Sequence, residues 1–177
     1  MKKKILTLMV GTMLAASIGA ASAAPLTTLD DGQTNIGYDH YSLSQNTSND
    51  SFYLEHGFSN KAIVGYENNG YGYGSHETDV YLHYKLDPNF RLIVGDRSYN
   101  GDYDKMFYGI GATTNLAPKL DGYASVTTNS ISTDWQVGAV YKMNEQASLH
   151  VGYKSSNNNN DSSDTLDGLG FGINYKF

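Results

Sequence analysis

His40-Tyr41-Ser42 has the spacing of a base and the nucleophile it activates. In an extended strand, residues two apart point to the same side, so His40 would take a proton from Ser42 for attack on an ester. Such a base needs a carboxylate to orient it. Asp39 and Glu77 fall on the opposite faces of their strands, so an acyl-transfer site is not expected. His76 with Glu77 and Asp79 supplies paired acids beside a histidine, but 177 residues are too few for the tall scaffold that a protease of this kind needs. The five histidines (His40, His56, His76, His83 and His150) contain no H-x-H or H-x-x-x-H pair. Cysteine is absent, which removes thiolate metal sites, disulfides and a cysteine nucleophile. The expectation is therefore no enzyme, no metal and no cofactor, with His83 and His150 as buried side chains bonded to Glu or Tyr.

What holds these residues starts with a leader. Lys2 to Lys4 form a positive start, Ile5 through Ile18 an apolar stretch, and Ala21-Ser22-Ala23 an A-x-A cleavage site before Ala24-Pro25. This is the pattern of a secretory signal peptide over residues 1–23. The formal net charge of the whole chain is -6, and three of its 12 basic residues belong to the leader. A nucleic-acid partner is excluded, because a phosphate backbone needs a basic face. Mean hydropathy is -0.44, and no segment after the leader resembles a transmembrane helix, yet the chain carries 15 Tyr and 19 Gly with only 3 Pro. An export-directed chain of this kind enters a membrane by closing a β-barrel.

From Asn35 onward the sequence alternates with period two. Leu169, Phe171, Ile173, Tyr175 and Phe177 share one face, while Gly168, Gly170, Gly172, Asn174 and Lys176 share the other. Thr78, Val80, Leu82 and Tyr84 likewise oppose Glu77, Asp79, Tyr81, His83 and Lys85. The pattern predicts strands over 34–43, 51–58, 61–68, 76–86, 89–99, 105–115, 119–129, 132–143, 146–156 and 166–177. Links alternate between tight turns (Ser59-Asn60, Asp87-Pro88-Asn89, Ala117-Pro118, Asn144-Glu145) and longer polar stretches such as 44–50 and 157–164. That is the arrangement of an outer-membrane barrel with its tight turns in the periplasm. The predicted organisation is a leader over 1–23, a short periplasmic N-terminal segment over 24–33 and a barrel over 34–177.

Aromatic placement agrees, since rings collect at membrane interfaces. On the outer face Phe58, Tyr84, Phe90 and Tyr141 form one girdle with Tyr175 and Phe177, and Phe52, Tyr66, Tyr108, Trp135 and Tyr153 form the other. A soluble β-sandwich would instead bury the apolar face, which the charged opposite face argues against.

The C-terminal run Gly170-Phe171-Gly172-Ile173-Asn174-Tyr175-Lys176-Phe177 carries a family resemblance. With it, the chain resembles the small bacterial outer-membrane β-barrels of the OmpA/OmpX type over nearly all of its length after the leader. Gly172, Tyr175 and Phe177 match that family's assembly signal, although Gly170 stands where a polar residue is usual. The resemblance implies the barrel-assembly machinery as a partner, with outer-membrane lipids and lipopolysaccharide around the wall. The type has eight strands and the pattern here gives ten, so the fold class is an all-β, antiparallel up-and-down transmembrane barrel of ten strands, with eight as the alternative.

Inside the wall, the same register gathers Asp39, Glu55, Glu67, Glu77, Asp79, Asp121 and Asp134 against Lys85, Arg91, Arg97, Lys142, Lys154 and Lys176. Confined charges need partners, and Glu77 or Asp79 with Arg97, and Asp121 with Lys142, are expected at equal height. Glycines at 37, 65, 95, 109, 111, 138, 152, 168, 170 and 172 face the same lumen. Two readings follow: Gly relieves crowding so that rings such as Tyr81 and Tyr123 fold across, or it leaves a narrow pore. The functions expected are envelope structure or narrow passive permeation. The alternatives are an extracellular ligand bound by the polar loops and, last, a lipid-modifying enzyme.

Overall fold

The period-two pattern resolves into a closed wall. The computed structural model describes residues 25–160 and 165–177, so the predicted leader and residues 161–164 lie outside the described residues. Among the described residues there are ten strands: β1 (Thr34–Leu43), β2 (Thr47–Ser59), β3 (Ala62–Tyr71), β4 (His76–Lys85), β5 (Phe90–Tyr99), β6 (Tyr103–Ala117), β7 (Leu120–Thr128), β8 (Ser132–Lys142), β9 (Ala147–Asn158) and β10 (Thr165–Lys176). Each pairs antiparallel with its neighbours in sequence, and β1 pairs with β10 from Asn35↔Lys176 to Leu43↔Gly168, which closes the barrel. Ten strands, not eight, make the ring. The end that carries Thr34 and Phe177 is called the lower end below.

Side-chain carboxamides and carboxylates shape the turns. At the lower end Asp87 Oδ1 accepts hydrogen bonds from the amides of Asn89 (2.7 Å) and Phe90 (2.9 Å), and Asn144 Oδ1 accepts them from Gln146 (2.8 Å) and Ala147 (2.7 Å). These Asx turns stand in for backbone pairing where the strands reverse. At the upper end Asn100 and Gly101 both have positive φ (53° and 74°), the hairpin geometry that an Asn-Gly pair adopts readily.

The upper links are shorter than expected. The polar stretch 44–50 is a loop only over 44–46, because Thr47–Asp50 already belongs to β2, and β6 and β9 also run past the expected boundaries. Asn, Ser and Thr are poor markers of strand ends here, since an antiparallel ladder satisfies their backbones in water as well as in lipid.

The wall is turned inside out relative to a soluble domain. Val80 (60 % exposed), Val151 (61 %) and Phe171 (64 %) project outward, while Arg97, Glu55, Glu67 and Asp79 are buried. The rings expected as girdles all fall on the outward face, with Trp135 and Tyr153 packed against each other at 5.4 Å. One step above Tyr38, Phe52, Tyr66, Val80, Val94 and Val126 the outward positions become His40, Asp50, Asn68, Thr78, Asp96 and Thr128. An apolar belt with a polar edge is the surface that lipid and its headgroups require.

The N-terminal segment packs into the barrel end that carries the tight turns. Residues 25–33 do not lie outside the barrel but enter its lower mouth: Leu26 and Leu29 are buried, at 3 % and 0 % exposure. Gly32 N donates to Gly57 O (2.7 Å) and Gly57 N to Gln33 O (2.8 Å), which fastens the segment to β2 before β1 begins. Two leucines that would otherwise meet water at the rim find an apolar interior within reach.

A charge on the belt should disturb insertion, and one at its edge should not. Ile173→Arg, flanked by Tyr38 and Leu149, is expected to reduce folding stability in lipid vesicles by about 2–4 kcal/mol, and Thr78→Arg by about 0–1 kcal/mol. Urea titrations of the refolded proteins measure both.

Candidate functional site: the filled lumen

The lumen is built from residues that face inward on every strand, and it divides by height. At the lower end Glu55, fully buried, accepts hydrogen bonds from Thr27 Oγ1 (2.5 Å), Asn35 Nδ2 (3.1 Å) and Tyr81 OH (3.4 Å). His83 stacks on Tyr81 with ring centroids 4.8 Å apart, its Nδ1 3.9 Å from Glu55. Arg91 donates to the carbonyl of Thr27 at 2.9 Å, and Lys85 donates to that of Leu29. Asp121 and Lys142 pair at the same mouth but remain partly open to water. Beside them a cavity of about 290 Å³ is lined by Leu26, Asp30, Asn115, Lys142, Asn174 and Lys176, among others.

In the middle, glycines and rings interlock. Tyr53 lies directly opposite Gly37, Tyr81 opposite Gly65, Phe107 opposite Gly95, Tyr123 opposite Gly138 and Tyr41 opposite Gly170. A Cβ on Gly37 would come within 2.1 Å of the Tyr53 ring, and one on Gly65 within 2.2 Å of Tyr81. The space left by the missing side chains is therefore occupied by the neighbour's aromatic ring. Tyr81, Phe107 and Tyr123 join Leu26, Ile93 and Val140 in one apolar cluster inside the wall. Nearby, His150 Nε2 sits 2.6 Å from Asp39 Oδ1, and a Cβ on Gly172 would strike both partners. Gly172 thus makes room for the Asp39–His150 pair, while Tyr175 of the same strand and Phe177 just beyond it are exposed.

Toward the upper end Arg97 crosses the lumen. Its Nε and Nη2 donate to Asp79 Oδ1 and Oδ2 at 2.8 and 2.7 Å, its Nη1 donates to Asp134 on the far wall, and Glu77 stands at 3.6 Å. Ser156 adds a hydrogen bond to Asp134 at 3.1 Å, and the Phe107 ring lies 5.3 Å from the guanidinium. Lys154 donates to Asn49 and lies 4.6 Å from the ring of Tyr41. Ser51 donates to Glu67 at 2.6 Å. Buried charges held this tightly are stable only as a set.

Nine of the thirteen sequence-derived charges fall into three groups, while Asp39, Glu67 and Lys154 take His150, Ser51 and Asn49 as partners. Arg97 collects Glu77, Asp79 and Asp134; Asp121 and Lys142 meet at the lower mouth; Lys85 and Arg91 turn toward the N-terminal segment, and Glu55 is shared between that segment and its neighbours on β1 and β4. Sequence reasoning missed Thr27, Asn35, Asn49 and Ser51, whose polar groups complete the network. The signal that would have found the aromatic filling is the Gly/ring pairing at one height on adjacent strands.

Outside the wall a second cluster corrects the reading of His40. Asp50, directly opposite it on β2, lies with Oδ1 2.8 Å from His40 Nδ1 and also accepts from Tyr38 OH at 2.5 Å. A carboxylate does orient the imidazole, on the same outward face as Ser42. Among the described residues, Ser42 makes no hydrogen bond to His40.

No family model matches the chain, and no curated protein does. Among solved structures, the chain is similar to the NanC porin at 9 % identity and a TM-score of 0.50, over 80 % of this chain and 100 % of that one. The fold is that of the outer-membrane β-barrels. The KdgM porin in complex with disordered oligogalacturonate aligns over 81 % of this chain and 99 % of its own, with 14 % identity and a TM-score of 0.49. The N-terminal β-barrel domain of Pseudomonas aeruginosa OprF aligns over 84 % and 100 %, with 10 % identity and a TM-score of 0.47.

For a barrel filled in this way, the interior carries much of the stability. Arg97→Ala leaves Asp79 and Asp134 buried without their cation and should destabilise the refolded barrel by about 3–5 kcal/mol in denaturant titrations. Gly65→Leu drives a side chain into Tyr81, at a cost of about 1–3 kcal/mol. Tyr81→Ala in the same chain should return part of that loss, so a double-mutant cycle is expected to be non-additive.

Proposed function

We propose that this chain is exported by a leader ending at Ala23 and resides in a bacterial outer membrane as a closed, non-enzymatic wall element of the envelope. The observation that carries this reading is the filling of the lumen above its lower mouth: Arg97 bridges from Asp79 on β4 to Asp134 on β8 above a layer of Tyr and Phe rings. Small barrels fill their interiors with side chains, and aqueous channels belong to much larger strand numbers. The narrow-permeation reading draws its support from the lumenal glycines, and rings occupy much of that space. Ligand capture by long loops has less to support it where the links are turns such as 44–46 and 100–102.

The surrounding partners follow from the surface. The apolar belt contacts lipid, the polar edge at His40, Asp50 and Asp96 meets lipopolysaccharide headgroups, and the C-terminal strand with Tyr175 and Phe177 is presented to the assembly machinery. The His40–Asp50 pair is read as part of that edge. Tyr38 shares the same carboxylate oxygen, and a nucleophile bonded to the base, which acyl transfer requires, is not formed by Ser42.

Planar-bilayer recordings of the refolded chain starting at Ala24 test this reading. A barrel whose migration shifts on heating is expected to show no discrete conductance steps at either low or high salt. Reproducible small steps from the folded protein would replace the structural role with narrow permeation.

A further inference from the structure

We propose that the lower half of the lumen is a binding site for an extended polypeptide segment, and that residues 25–33 are its ligand, bound in cis. The proposal rests on the reading of a closed barrel whose chain begins near Ala24. Recognition runs largely through the main chain, the part of a peptide that any extended segment shares. Arg91 holds the carbonyl of Thr27 and Lys85 that of Leu29, while Gly57 exchanges two backbone hydrogen bonds with Gly32 and Gln33. Side chains add selectivity. Thr27 donates to the buried Glu55, and Leu26 enters the cluster of Tyr81, Ile93, Phe107, Tyr123 and Val140.

The wall is shaped to admit this segment. A Cβ on Gly111 would lie 2.4 Å from Leu26 Cδ1, and one on Gly57 would lie 2.0 Å from the carbonyl oxygen of Asp30. These two glycines face the segment itself, whereas Gly37, Gly65, Gly138 and Gly170 face rings of the wall. Residues 25–33 form no strand and precede the first one, so their departure breaks the two backbone hydrogen bonds to Gly57 but leaves the ten-strand ring closed. On the side toward β6 to β10 the segment borders the 290 Å³ cavity, which leaves room for it to leave and return without repacking the wall. In place, it fills part of the lower mouth; displaced, it exposes a vestibule floored by rings and ending at the Arg97 layer.

The test uses a barrel starting at Thr34, refolded in detergent and accepted as folded by its heat-shifted migration. A synthetic peptide of residues 24–33, labelled with fluorescein at its C-terminal end, is titrated by anisotropy. Saturable binding is expected for this barrel, with far weaker binding for the barrel starting at Ala24, where the free peptide must compete with the tethered segment, and none for a scrambled peptide. Arg91→Ala should weaken binding by about tenfold, the loss of one charge-assisted hydrogen bond. A folded short barrel that ignores the peptide, or binds the scrambled one equally, overturns the proposal whatever the conductance recordings give.

If the short barrel does not fold, the chain starting at Ala24 supplies the same answer, because it has no native cysteine. Leu26→Cys should react with a water-soluble maleimide far more slowly than Asp31→Cys, and an excess of free peptide should speed it by displacing the segment. Equal rates for the two thiols, or a rate that the peptide leaves unchanged, overturn it.

Discussion

A backbone in hydrocarbon has no water to bond to, and every other feature of this protein answers to that constraint. The seam between β1 and β10 satisfies it: once Asn35 to Leu43 pair with Gly168 to Lys176, no strand in the belt is left with an open edge. Closure then dictates the sequence pattern. Side chains must alternate between lipid and lumen, so apolar residues go outward and whatever is polar goes in.

The polar interior follows as a burden of that arrangement. Five buried carboxylates (Asp39, Glu55, Glu67, Asp79 and Asp134) sit in a space too narrow to hydrate them as bulk water would. Arg97 gathers two of them from opposite walls, His150 sits against a third, and hydroxyls and carboxamides serve Glu55 and Glu67. The rings between these layers supply packing that the charges cannot, and together they make the lumen a core in its own right.

Much of this was legible in the sequence because period-two alternation reports which face each residue takes. Ten strands, the outward rings and the inward charges followed from it. Two things did not. Residues 25–33 carry no alternation, since they lie inside the wall instead of within it, and Leu26 and Leu29 alone do not announce an interior to bind. The partner of His40 was lost to a strand boundary: with β2 begun at 51, Asp50 counted as loop, whereas in the ladder it stands directly opposite the imidazole. Which polar residues extend a hairpin beyond the membrane depends on pairing, and composition does not record pairing.

The interlocked rings and glycines also bear on how wide the barrel is. Alternation cannot fix the stagger between neighbouring strands, because a slip of two residues returns every side chain to its own side. Such a slip between β1 and β2 would set Tyr53 against Asn35 or Asp39 in place of Gly37, and between β3 and β4 it would set Tyr81 against Ile63 or Glu67. A Gly/ring pair flanked by larger lumenal residues therefore favours one stagger over its nearest rivals, whereas Tyr41, opposite Gly170 with Gly168 and Gly172 two residues to either side, does not. In a closed barrel the summed stagger and the strand number together determine the radius. Gly37, Gly65, Gly95 and Gly138, read as gaps filled by rings, are thus also the marks by which the chain measures its own circumference.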